Sequence, residues 1–143
     1  DRKNISYGGK HSKIEFCDLL SESNEVVHVK QYGGSSVLSH LFNQGYGSAN
    51  FLLDEDFRKK INNTLSQDFK ISDTTKRPNN LPDGDQYTII FGVISKSERS
   101  FELPFFSKMT LMHVAKSLTN VGFKVSLVKI KNVKVAEEDD AAE

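Results

Sequence analysis

Eight residues, Tyr87-Thr88-Ile89-Ile90-Phe91-Gly92-Val93-Ile94, form a near-continuous apolar run. The run is too short for a typical helix and rich in β-branched and aromatic side chains. It reads as a strand covered on both faces. Such a strand needs strands beside it and other elements packed over it, which excludes a simple helical bundle.

The flanking sequence supplies both. Lys13–Leu20 alternates polar and apolar residues, Ser21–Glu25 is polar, and Val26–Lys30 is short and β-branched. Two such runs joined by about five polar residues predict a β-hairpin. Phe123–Ile130 predicts a last strand. Three helices fill the gaps. Ser35 or Ser36 is expected to cap the first, with Val37, Leu38, Leu41 and Phe42 on one face. Asp54 caps the second, with Phe57 and Ile61 inward and Arg58, Lys59 and Lys60 outward. Ser107 caps the third, whose Leu111, Met112, Ala115 and Leu118 follow helical spacing until Gly122 stops it. The order predicts an α/β fold: a mixed central sheet with an N-terminal β-hairpin and flanking helices.

The 143 residues fit one domain over 1–136, followed by an acidic disordered tail over 137–143. Residues 72–85, crowded with turn formers, read as a surface loop. The chain starts at Asp1, which points to a piece of a longer protein. Cys17 is the only cysteine, so no internal disulfide is expected and a cytoplasmic location fits. No apolar run approaches the roughly 20 residues that span a bilayer, so no membrane partner is expected. Nineteen basic residues balance nineteen acidic ones. That balance argues against binding nucleic acid through a large positive field. Five of the acids lie from Glu137 onward, however, so the remainder is mildly basic.

The hairpin carries the residues with chemistry. Side chains of a strand alternate, so His28 and Lys30 share one face, and Val27 and Val29 are expected to be buried on the other. With Asp18 opposite His28 and Phe16 opposite Lys30, Asp18 joins that face. A turn shorter by one residue would bring Glu15 and Cys17 there instead. Metal-dependent phosphodiester cleavage uses such a set: a carboxylate holds Mg²⁺ or Mn²⁺, and a lysine orients or deprotonates the attacking water.

The arrangement of Asp18 on one strand, His28-Val29-Lys30 on the next and a helix after them resembles the core of the PD-(D/E)xK nucleases, the restriction-endonuclease-like fold. The resemblance implies Asp18, His28 and Lys30 as catalytic residues and Asp18, Glu15 and His28 as metal ligands. His28 stands where that family has a carboxylate. The longer run Ile14–Asp18 and His28–Gly45, with Leu103–Lys108 and Lys124–Leu127, resembles a sporadically distributed family of uncharacterised bacterial proteins with an implied anti-phage role. That likeness spans roughly Ile14 to Ile130 and implies that this chain is a C-terminal piece.

Gly34, Ser35 and Ser36 precede a helix, where backbone amides suit a substrate phosphate, and Gln44 lies farther along that helix to extend the site. The same residues also read as an ordinary strand-to-helix turn and a polar helix flank. Asp18, Glu15 and Lys30 equally suit a solvent-facing cross-strand ion pair. Cys17, in an apolar strand, reads as an inert core thiol. The expectation is a metal-dependent nuclease acting on DNA or RNA. The alternative is a catalytically inactive module of the same fold that binds nucleic acid or protein. Other domains of a longer parent, or a second copy met through Leu103–Phe106, complete the expected partners.

Overall fold

The computed structural model describes residues 4–6, 13–65, 70–71, 76–77, 81–82, 86–98 and 101–132. The elements run β1 (Asn4–Ser6), β2 (Lys13–Glu15), β3 (Leu19–Leu20), β4 (Glu25–Gln31), α1 (Ser35–Leu52), α2 (Glu55–Thr64), β5 (Lys76–Arg77), β6 (Leu81–Pro82), β7 (Thr88–Ser95), α3 (Phe105–Asn120) and β8 (Lys124–Lys131). A four-stranded sheet in the order β3-β4-β7-β8 forms the centre. β3 is antiparallel to β4, and β4, β7 and β8 are parallel. The mixed α/β architecture expected from the sequence is therefore present. Of the expected tail none lies within the described residues, and of the 72–85 loop only the small β5–β6 pair does.

The expected single strand over Lys13–Leu20 is divided. β2 pairs antiparallel with β1, as a separate ladder, and β3 alone pairs with β4. Between them Phe16 is buried, its carbonyl accepts from Ser48 Oγ of α1 at 2.6 Å, and its ring meets Phe57 edge-on. Pulling Phe16 into the core breaks the alternation that a continuous strand would need.

Each parallel pair is linked by a helical crossover, and the two crossovers advance in one direction across the sheet. With right-handed connections both helices then lie on the same face. The packing agrees: Ser35 and Ser107 hydroxyls sit 3.2 Å apart, and Thr110 Oγ1 meets Ser39 Oγ at 3.3 Å, joining α1 to α3. The covered face carries Val26, His28, Ile89, Phe91 and Val93, all buried. Val27, Val29, Ile90 and Ile94 on the other face are half-buried. The expectation that β7 is equally buried on both faces is thus corrected, and so is the inward placement of Val27 and Val29. His28 is on the core side.

Gly45 sets how closely α1 approaches this face. A Cβ there would stand 2.8 Å from Phe91 Cζ and 3.2 Å from His28 Cδ2, so only glycine lets the helix descend this far. Phe42 from the preceding turn packs edge-on to Phe91.

Helix starts follow tertiary contacts as much as local preference. Asp54 caps α2 as expected, its Oδ1 accepting from the amides of Asp56 and Phe57. Gly34, not a serine, precedes α1 and offers no side-chain cap. Pro104 precedes α3, while Ser107 is buried in its first turn and donates to the Ser35 carbonyl. Arg58, expected outward, is fully buried and donates to the Leu52 carbonyl at 2.6 Å. On α3, Val114 and Leu118 are buried, whereas Met112 is exposed. Gly122, with φ 98°, ends the segment as anticipated.

Candidate functional site

The register of the β3–β4 hairpin decides which side chains meet. Leu19 stands opposite Val27 and Leu20 opposite Val26, so Asp18 continues the ladder opposite His28. The Asp18 amide donates to the Val27 carbonyl at 2.9 Å. Its carboxylate Oδ2 accepts from the Val29 amide at 2.7 Å. β3 has no further residue to offer that amide an acceptor, and the aspartate side chain takes its place.

His28 is 0% exposed, under Gly45 and beside Phe91. Neither ring nitrogen has a hydrogen-bond partner among the described residues. Burial pushes its pKa down to about 4, with the Asp18 carboxylate pulling weakly the other way. The imidazole is therefore neutral at pH 7. Lys30 follows on the same face, half-buried, one residue before the end of β4. Gln44 Oε1 is also buried without a partner among the described residues. It stands one helical turn before Ser48, on the flank of α1 that meets the Phe16 segment.

Glu15 lies apart from this group. It belongs to β2 and pairs with Asn4 in the other ladder. Among the described residues no three His, Cys, Asp or Glu side chains gather so that they could hold a metal ion. Glu15 thus stands outside the β3–β4 hairpin that sets Asp18 opposite His28. One Asp18 oxygen is bound to a backbone amide and His28 is sealed under α1. These residues do not fit a three-donor metal site. Cys17, next to Asp18, has its thiol pushed up to about 12, by burial first and by the Asp18 charge second, which suppresses the thiolate.

Of the expected phosphate contacts, Gly34 and Ser36 are exposed beside the α1 start, and Ser35 is tied to Ser107. Sequence reasoning missed the crevice at the carboxyl ends of the parallel strands. It measures about 390 Å³ and is lined by residues including Gln31, Tyr32, Ile94, Lys96 and Asn132. The available signal was positional: these residues end or directly follow β4, β7 and β8, where open parallel sheets bind their ligands.

Fold and site define an α/β domain whose mixed sheet buries an uncharged histidine opposite a hairpin aspartate. The chain belongs to DUF6119, a family of unknown function whose sequence profile matches residues 1–131. No curated protein and no solved structure matches it. No helix among the described residues is long and apolar enough to cross a membrane.

Proposed function

We propose that this chain is a nucleic-acid-binding α/β module, laid out along the lines of a restriction-endonuclease-like core but without that core's metal centre. The observation that carries this reading is the use of Asp18. The carboxylate that the resemblance would make a metal-binding acid serves as acceptor for the Val29 amide, opposite a wholly buried, neutral His28. Binding is supported by the excess of basic residues outside the acidic C-terminal run, and by Lys96, Lys129 and Lys131 at the carboxyl end of the sheet. A place in bacterial anti-phage defence rests on the family likeness alone and belongs to the same proposal.

A second reading is the metal-dependent nuclease, with Asp18, His28 and Lys30 acting together. One observation favours it: the His28 nitrogens and Gln44 Oε1 are buried without partners among the described residues, and such groups are uncommon outside functional sites. Incubating the chain with labelled DNA and RNA in Mg²⁺ or Mn²⁺ separates the two. Oligonucleotide that is bound but left intact supports the module. Cleavage lost in Asp18→Ala and Lys30→Ala, yet kept in His113→Ala, supports the nuclease and overturns the module.

A further inference from the structure

The crevice at the ends of β4, β7 and β8 joins an aromatic ring that is anchored and half open to polar and cationic groups at its rim. Tyr32 follows β4 directly, and its amide donates to the Ile94 carbonyl at 2.7 Å. Its hydroxyl donates to the Glu102 carbonyl at 3.0 Å, and its ring meets Phe101 edge-on with centroids 5.9 Å apart. Held at both ends, Tyr32 is still 46% exposed and lines the crevice. An aromatic ring already fixed in place loses little conformational freedom when a flat ligand stacks on it.

Around Tyr32 the lining is mixed. Ile94 gives an apolar wall, and the amides of Gln31 and Asn132 offer both donors and acceptors. Lys96, exposed just past β7, supplies a positive charge. Among the described residues no carboxylate lines the crevice. A volume of about 390 Å³ lies at the lower end of small-ligand sites, ample for one base and its sugar.

We propose that this crevice holds one nucleotide unit of single-stranded nucleic acid, with the base stacked on Tyr32, its edge read by Gln31 and Asn132, and the phosphate on Lys96. A flat, polar-edged ring joined to an anion is the chemistry that matches this lining. Duplex does not, because its bases are already stacked on one another. The assignment rests on the nucleic-acid reading above and gives it a substrate class and a place. Lys30 precedes the crevice residue Gln31 but projects to the opposite face of the sheet, so the crevice is separate from the Asp18–His28 pair.

The test is fluorescence anisotropy of a short labelled oligothymidylate, its duplex and a labelled mononucleotide, in EDTA so that no cleavage intervenes. The single strand is expected to bind more tightly than the duplex. Tyr32→Ala should weaken it about tenfold while Tyr32→Phe, which keeps the ring, retains most of the affinity. Lys96→Ala should lower the salt dependence by about one counterion. Circular dichroism and a thermal melt check that each variant is folded. Single-strand binding that Tyr32→Ala and Lys96→Ala leave unchanged overturns this assignment and leaves the module reading standing. Tyr32-dependent binding of the mononucleotide without any binding of oligonucleotide overturns the nucleic-acid reading and keeps the crevice as a nucleotide site. Binding of none of the probes overturns both.

Discussion

Asp18 Oδ2 accepts a hydrogen bond from the Val29 amide at 2.7 Å, so a side chain continues the β3–β4 ladder after β3 has ended. Its own amide donates to Val27 on the same neighbour strand. One residue thus closes the hairpin from both sides and lets the chain turn inward through Phe16. A carboxylate is suited to this because a charged acceptor makes a shorter, stronger bond than a neutral one.

Replacing Asp18 with alanine leaves the Val29 amide without its acceptor, at a cost of about 1–3 kcal/mol. Asp18→Asn keeps an acceptor oxygen and should retain most of the stability. Urea denaturation of the three proteins checks this. A module uses Asp18 in this structural way, so Asp18→Asn should bind nucleic acid like the parent. A variant as unstable as the alanine would show that the charge, and not the bond alone, holds the hairpin.

His28 makes stability depend on pH. Its pKa in the folded state is about 4, against 6.5 for an exposed histidine. Between those values the unfolded chain takes up a proton that the native state refuses. Its favourable contribution is complete above pH 6.5, declines as pH falls, and is lost once pH passes below about 4. The loss amounts to about 3 kcal/mol. His28→Leu removes the titrating group and fills similar space. The difference in unfolding free energy between parent and variant should therefore shift by about that amount from pH 7 to pH 4, in the variant's favour. A constant difference over that range would show that the imidazole is not sealed from water.

What the sequence disclosed follows a physical line. The Asp54 cap and the inward Phe57 and Ile61 were legible because cap and helical period are local. The Asp18–His28 pairing was one of two registers that alternation allows, and the hairpin realises it. Alternation could not say which face would be covered: Val27 and Val29 looked like the buried pair, yet α1 and α3 lie over His28. Ser35 and Ser107 looked like caps but bond to each other across two helices, a contact between residues far apart in the chain. Arg58 looked solvated, and its burial depends on the Leu52 carbonyl being within reach. Phe105 and Phe106 are 68% and 71% exposed, because the first turn of α3 directs Ser107 inward instead.

Cys17 should be slow to alkylate. Its thiol titrates near 12 in the folded chain against 9.0 for a free cysteine, so at pH 8 its thiolate is about a thousandfold scarcer than in the unfolded chain. Iodoacetamide labelling followed by mass spectrometry should give a very low rate in buffer and an ordinary one in urea. Asp18→Ala removes the smaller of the two causes and should speed the native reaction only modestly. Rapid native labelling would mean that the Phe16–Asp18 segment opens readily, and would weaken the case for a sealed His28.

Two glycines of α1 give opposite expectations for the same substitution. In a helix interior, alanine is favoured over glycine by about 1 kcal/mol. At Gly47 a Cβ meets nothing within 4 Å, so Gly47→Ala should stabilise the protein by a large part of that amount. At Gly45 the added carbon would stand 2.8 Å from Phe91 Cζ and 3.2 Å from His28 Cδ2. Overpacking of this kind costs about 1–3 kcal/mol, which exceeds the helical gain, so Gly45→Ala should be destabilising. The double variant Gly45→Ala with Phe91→Leu should recover part of the loss, because the smaller side chain relieves the clash while opening space elsewhere. Thermal melts of the four proteins read all of this at once. If Gly45→Ala were as stable as Gly47→Ala, α1 would not lie against Phe91 and His28 as described, and the burial that lowers the His28 pKa would lose its cause.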